Sequence, residues 1–289
     1  MRVLVTGWSS FLHGEATAGD VLSMRRVSDA LDSAGIAVDI AWSPVLYPDA
    51  LHLDSADPAH YTHVVFTCGP VYGEQVEWLH RRYAACRRIA VGVSVLDPHN
   101  AAAAGFHRIL ARDGLGEPQP DLSYGAHTDS VPVAAIMLAP GQHEYGGRRR
   151  HEQVHKTLLN WITDVDCARV GLDTRLDSAD WRHCASPDQF SSLVACFDIV
   201  VTTRMHGLVL ALRAGVPALA VDPVAGGGKV TAQARALGWP AVIPAEEVCP
   251  ETLDRWWSWC LPEPSRQCVR TSSGGRGTLV AELVGEVLR

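Results

Sequence analysis

Asp198-Ile-Val-Val-Thr-Thr-Arg204-Met-His206-Gly207-Leu-Val-Leu-Ala-Leu-Arg-Ala-Gly215-Val-Pro217-Ala-Leu-Ala-Val-Asp222 is the stretch whose reading decides the fold. Ile199 to Val201 are continuous and β-branched, which is the composition of a buried strand. Leu208 to Leu212 present an apolar helical face, Gly215 stops the helix, and Pro217 to Val221 form a second buried strand. The run is therefore one β-α-β unit of a parallel sheet. Arg204, His206 and Gly207 fall at the junction of strand and helix, on the carboxyl edge of the sheet, where open α/β sheets bind ligands. A structural reading, in which Arg204 and His206 cap and solvate a surface turn, stands beside the functional one.

The next segment weighs toward function. Asp222-Pro-Val-Ala-Gly226-Gly227-Gly228-Lys229 leads into a helical run that reaches Leu237-Gly238. A glycine turn that opens a helix offers backbone N–H groups to an anion, and Lys229 adds a point charge. Two successive strand ends thus supply Arg204, His206 and Lys229 to one crevice. The segment is not a Walker A loop, since the glycine spacing and the Ser/Thr after the Lys are absent.

Outward from this core, the run Ser186-Pro-Asp-Gln-Phe, Arg204-Met-His206-Gly207, Gly215-Val-Pro217, Asp222-Pro223, Lys229 and Leu237-Gly238 resembles the C-terminal half of the polysaccharide pyruvyl transferase family. That family has Arg-x-His after a strand, then Gly-x-Pro, a strand and a turn with Lys. The resemblance is most specific over residues 186–240. It implies two Rossmann-like α/β domains with parallel sheets in a GT-B-like arrangement, and phosphoenolpyruvate as donor of a ketal pyruvyl group to a sugar. By similarity Arg204 holds the donor's carboxylate or phosphate, and His206 is the acid/base group.

Composition agrees with a globular enzyme. The chain has 289 residues, 47% hydrophobic and 20% charged, enough for one large or two medium cores. A formal net charge of −7 argues against a nucleic-acid partner. No apolar run is long enough to span a bilayer, and the expectation is a cytoplasmic protein. Eight cysteines without a Cys-x-x-Cys pair read as reduced structural thiols. No metal cluster is expected. His151 and His155, four apart on a probable helix, read as a solvated helix face rather than a metal site.

The first half repeats the strand-helix rhythm, with expected strands at 3–7, 36–42, 63–69 and 89–95 and a helix N-capped by Asp20. The long loop after the first strand carries His13 and Glu15 ahead of Asp20, and these three are the acceptor-side candidates. A surface excursion is the competing reading. Thr17-Ala18-Gly19-Asp20 keeps the Gly-Asp of the family's usual Asn-x-Gly-Asp and lacks its Asn. The Pro120-Asp121-Leu122 segment resembles the family's closing strand. The boundary is placed near 128, giving an acceptor-side domain over 1–128 and a donor-side domain over 129–289.

In the second half a strand over 131–138 leads to a Gly-rich loop ending in Arg148, Arg149 and Arg150. A phosphate site and a solvated basic turn are equally good readings of that loop. No Arg follows the strand directly, where the family often has a second donor-binding Arg, so Arg148 and Arg175 are the substitutes. Trp256, Trp257 and Trp259 are expected to pack rather than to stack on sugar. A final helix is expected over 278–288, of the kind that in two-domain folds of this sort can cross back to the first domain.

The donor set implied is thus Arg204, Gly207, the Gly226, Gly227 and Gly228 amides, Lys229, Arg148 and Arg175, with His206 as proton donor and no cofactor or metal. Small-molecule donor and sugar-containing acceptor are the expected partners. Two other functions stay open: a GT-B glycosyltransferase holding a nucleotide-sugar pyrophosphate at Gly226–Lys229, and a repurposed non-catalytic family member.

Overall fold

The computed structural model describes residues 1–12, 16–141, 143–262, 265, 266, 268, 269 and 278–289. The chain divides between Asp129 and Ser130 into two units. In the first, strands β1 (Arg2–Gly7), β2 (Ala37–Ile40), β3 (His63–Thr67), β4 (Arg87–Ser94) and β5 (Arg108–Asp113) form one sheet in the order β2-β1-β3-β4-β5. Every pairing is parallel. Helices α1 (Ala18–Ser33), α2 (Glu74–Arg82) and α3 (Ala101–Ala104) connect them.

Both faces of this sheet are covered, which is why its central strands are apolar throughout. Along β1 the side chains alternate between two cores: Leu4 packs with Val64, Phe66 and Tyr83, whereas Val3 and Val5 pack with Met24 and Trp42.

The second unit has β6 (Val133–Met137), β7 (Ala168–Gly171), β8 (Ile199–Thr202), β9 (Ala218–Asp222) and β10 (Val242–Pro244), in the order β10-β9-β8-β6-β7. These pairings too are parallel. Its helices are α4 (His151–Asp164), α5 (Pro187–Val194), α6 (Met205–Arg213), α7 (Lys229–Ala236), α8 (Pro250–Cys260) and α9 (Thr278–Val287). Ser186 N-caps α5 by accepting from the Gln189 N–H at 3.2 Å. The central strands β8 and β9 are buried at every residue.

The two sheets have the same order counted from their own first strands. In each, the chain goes out to one edge, returns past its first strand and continues the other way. The reversal falls between β1 and β3 in one unit and between β6 and β8 in the other. Loops that diverge there leave a crevice at the carboxyl ends of the strands.

The sheets correct the sequence reading in three places. Among the described residues the first unit has five strands, not four, and its sheet closes on β5 rather than on the Pro120-Asp121-Leu122 segment. Asp121 instead accepts the Ser123 N–H at 2.9 Å at the head of a 3₁₀ turn, Leu122–Gly125. β5 hides in the sequence because Arg108, Arg112 and Asp113 interrupt its apolar run, as suits an edge strand. β10 is only three residues long, ends at Pro244, and sits at the other sheet's edge.

The tryptophans pack as expected. Trp257 meets Trp161 edge-to-face at 5.7 Å, and Trp259 meets Trp239 at 5.4 Å and Trp256 at 5.6 Å. Cys68, Cys86, Cys167 and Cys260 are buried, and no disulfide joins the described cysteines. Among the described residues no helix is long and apolar enough to cross a membrane.

Candidate functional site

Two threonines at the end of β8 build the corner where Arg204 sits. The Thr202 hydroxyl donates to the Met137 carbonyl of β6 at 2.9 Å and accepts the Arg204 N–H at 2.9 Å. The Thr203 N–H donates to the same Met137 carbonyl at 3.1 Å. Its hydroxyl accepts the Ala139 N–H at 2.8 Å and lies 3.1 Å from Nε2 of His155. Both threonines are buried, so each bond is made away from water and fixes the turn.

Gly207, placed among the donor-binding residues by its position, has a different physical reason to be there. A Cβ at this residue would stand 2.2 Å from the Thr202 hydroxyl oxygen and 3.0 Å from its Cβ. Glycine lets the first turn of α6 approach the end of β8 closely.

Arg204 is largely buried, and its guanidinium is already engaged. Nε donates to the Leu138 carbonyl at 2.9 Å and one terminal nitrogen donates to the Thr174 hydroxyl at 2.7 Å. That nitrogen also lies 2.8 Å from one Asp173 carboxylate oxygen, and the other terminal nitrogen lies 3.5 Å from the second. A guanidinium carries five N–H donors, so these four contacts leave one unassigned. Arg204, expected to hold the donor's carboxylate or phosphate, also ties the ends of β6, β7 and β8 together. Asp173 and Thr174 were not singled out in the sequence, although they stand two and three residues after Gly171, the end of β7.

His206 and Lys229 are exposed. Neither has an ion pair or side-chain hydrogen bond to a described residue. With Arg204 and Thr174 they line a cavity of about 180 Å³, whose apolar wall is Ala139, Pro140 and Met205. The first turn of α6 opens toward the corner without a side-chain cap, so its N–H groups and dipole favour an anion there.

The glycine turn does not offer the free amides expected of it. Gly226 N–H donates to the Glu246 carboxylate at 2.8 Å, Gly227 N–H to the Val224 carbonyl at 2.9 Å, and Gly228 N–H to the Asp222 carboxylate at 2.7 Å. The buried Asp222 organises the loop, accepting also from the Val224 N–H at 3.1 Å and from the N–H and hydroxyl of Thr231, each at 2.8 Å. What the turn contributes is the placement of Lys229 at the first position of α7. Gly226 and Gly227 have φ of +75° and +86°, a backbone that side-chain-bearing residues rarely adopt.

Arg148 and Arg175 do not join the cavity of Arg204. Arg148 is exposed and lies over the Tyr145 ring at 5.9 Å. Arg175 lies 3.0 Å from Nε2 of His183, in a separate cavity of about 830 Å³ that also contains Asp180 and Arg182. The histidine pair is not a solvated face. His151 is 4% exposed, its ring centroid lies 6.0 Å from that of His155, and burial lowers the pKa of both. No cluster of metal-ligating side chains occurs among the described residues.

In the first unit, Asp20 is the third residue of α1, not its cap. Thr17 is the cap: its hydroxyl accepts the Asp20 N–H at 3.2 Å, while the Asp20 carboxylate accepts the Thr17 N–H at 3.2 Å and its O–H at 2.8 Å. His13 and Glu15 lie outside the described residues. The same long loop borders, through Ser10, Phe11 and Leu12, a cavity of about 520 Å³ reaching Trp78 and Glu74 of α2.

No curated protein matches the chain in sequence. Among solved structures it is similar to the glycosyltransferase SnogD from Streptomyces nogalater, at 14% identity over 99% of both chains with a TM-score of 0.33. It is also similar to Acinetobacter baumannii MurG, at 11% identity over 99% of both chains with a TM-score of 0.36. E. coli heptosyltransferase WaaC with ADP shares 13% identity over 90% of this chain and 99% of that one, with a TM-score of 0.27. One family model, described as polysaccharide pyruvyl transferase, matches residues 98–223. That span takes in β6 through β9 and the whole Arg204-Met205-His206 corner, so this part of the chain is similar to a polysaccharide pyruvyl transferase domain, which supports a transferase.

Proposed function

We propose that this protein transfers the enolpyruvyl carbons of phosphoenolpyruvate to two hydroxyls of a sugar as a cyclic ketal, with the reaction centred on the small cavity of Arg204, His206 and Lys229. The observation that carries the reading is this convergence: an imidazole, an ammonium and the uncapped start of α6 meet in one cavity, inside or just beyond the matched family span. A donor bearing a carboxylate and a phosphate within a few atoms needs such a concentration of positive charge.

The chemistry follows from the donor. Protonation of its methylene by the imidazolium of His206 makes the adjoining carbon an oxocarbenium-like centre, which one sugar hydroxyl attacks with loss of its proton. The C–O bond to phosphate then breaks, and inorganic phosphate departs with the electron pair. A second hydroxyl closes the ketal and releases its proton. One released proton restores the imidazolium and the other leaves with phosphate. Histidine suits the task because its ordinary pKa lies near neutrality.

Lys229 supplies the mobile cation for the donor's charge, and Arg204 acts through its one unassigned N–H while holding the corner in shape. In the first unit, the cavity beside Trp78 has aromatic and aliphatic side chains in its wall that suit the apolar face of a sugar or its aglycone. A nucleotide-sugar donor is less well served: the Gly226, Gly227 and Gly228 amides that would cradle a pyrophosphate are consumed within the protein.

The test is thermal unfolding with millimolar phosphoenolpyruvate or nucleotide sugars, followed by phosphate release with a sugar panel. Donor at about 100 times its dissociation constant adds roughly 3 kcal/mol. The reading expects a shift with phosphoenolpyruvate alone and phosphate release abolished in His206→Ala. Stabilisation by nucleotide sugars only, or full activity of His206→Ala, would overturn it.

A further inference from the structure

The mouth of α4 is chemically unlike an ordinary helix start. Arg150 occupies the cap position without any side-chain hydrogen bond to the first turn, so no cap side chain satisfies the N–H groups at the positive end of this fourteen-residue helix. The first helical residue, His151, is 4% exposed, and neither of its ring nitrogens has a hydrogen-bond partner among the described residues. Orphaned buried nitrogens are rare because an unmade hydrogen bond inside a protein is costly. His151 lines a cavity of about 770 Å³ together with Arg149, Arg150, Lys156, His155 and Glu152. Three fixed cations there meet one carboxylate.

We infer that this cavity is a phosphate-binding site, built from the start of α4, Arg149, Lys156 and the unpartnered imidazole of His151, and that it takes its ligand independently of Arg204. A phosphate oxygen fits both demands: it accepts from uncapped N–H groups at a helix start, and it gives the imidazole a partner. The volume exceeds what a lone phosphate fills, so the ligand is a phosphate ester whose remaining part occupies the cavity. Ala139 and Pro140 line both this cavity and that of Arg204, so the two adjoin at the short loop after β6. The site does not depend on the pyruvyl-transfer reading.

The surroundings of His151 favour an anion over a cation. Arg149 and Lys229 oppose its protonation, and Asp222 and Glu144 favour it more weakly than burial and Arg149 oppose it. His155 packs against it from the next turn. A bound dianion would reverse that balance and draw a proton onto the ring.

Isothermal titration with inorganic phosphate, phosphoenolpyruvate and a sugar 1-phosphate tests the assignment at pH 7.5, where phosphate is mostly dianionic. Arg149→Gln and Lys156→Gln change exposed side chains and leave the fold intact; each is expected to weaken phosphate binding about tenfold. His151→Leu should weaken it similarly, and Arg204→Leu should leave it unchanged. A comparable loss for phosphoenolpyruvate in Arg149→Gln identifies the ligand as the donor's own phosphate, and a loss confined to the sugar phosphate identifies a phosphorylated acceptor. Absence of phosphate binding, or binding lost in Arg204→Leu and retained in Arg149→Gln and Lys156→Gln, overturns the proposal.

Discussion

Asp173 presents its carboxylate to the guanidinium of Arg204, one oxygen at 2.8 Å and the other at 3.5 Å, and so stands where an anionic ligand of Arg204 would have to go. The pair belongs to the ends of two strands, β7 and β8, separated in the sheet by β6. It holds the corner together and at the same time competes with any carboxylate that approaches it.

Asp173→Asn separates those two effects. The amide keeps a hydrogen-bond acceptor and removes the charge. The expected result is a loss of about 1–2 kcal/mol in stability together with several-fold tighter binding of phosphoenolpyruvate. Thermal unfolding and donor titration on the same variant check both, and unchanged or weaker donor binding would remove Asp173 as a competitor.

Gly207→Ala should destabilise the second unit by about 1–3 kcal/mol through overpacking. The added methyl would collide with the Thr202 hydroxyl, which cannot turn away without giving up the Met137 carbonyl. Adding Thr202→Ala should recover part of the loss, as measured by a double-mutant cycle in denaturant. Additive losses would place the effect elsewhere.

Asp222→Ala leaves the Gly228 and Thr231 N–H groups without their acceptor. A charged acceptor serving several donors makes this one of the more damaging substitutions in the unit, at about 2–4 kcal/mol. Hydrogen exchange should speed up over residues 224–231. Lys229, set by that loop, should lose its contribution to donor affinity even where the protein remains folded.

Acid should weaken the second unit before its carboxylates titrate. Burial lowers the pKa of His151 and His155 below the ordinary value of 6.5, so the unfolded chain takes up protons first as pH falls. The stability they contribute is full above about 6.5 and is lost as pH drops toward the depressed folded values. The melting temperature should therefore fall between pH 7 and 5. His151→Phe should flatten that slope, and an unchanged slope would show that the buried imidazole is not its source.

What could be read from residues alone follows from how each signal is encoded. β8 and β9 are uninterrupted apolar runs bounded by Asp198, Gly215 and Asp222, so the β-α-β unit and the place of Arg204 and His206 were legible. β5 and β10 are edge strands, one broken by charges and the other three residues long, and periodicity alone does not find them. The site was half legible for a similar reason. Strand-end position foretells which side chains reach the edge of a sheet, and Arg204, His206 and Lys229 do meet there. It does not foretell which donors are already consumed. The Gly226 and Gly228 amides and the Arg204 guanidinium are engaged by Glu246, Asp222 and Asp173, residues between 6 and 31 positions away whose approach is set by tertiary packing. Local spacing likewise placed Asp20 near a helix start but could not tell the cap from the third residue, because the capping box uses both.

The repeated strand order bears on how the molecule is made. All strands of the first sheet come from residues 2–113 and all those of the second from 133–244. A ribosome that has released the first 129 residues has thus delivered every partner the first sheet needs, and that sheet can close while the second is still being translated. A stall or a rare-codon cluster near Asp129 would act as a pause between two folding events, whereas one placed between β6 and β8 would leave the Arg204 corner waiting for a strand that has not yet emerged.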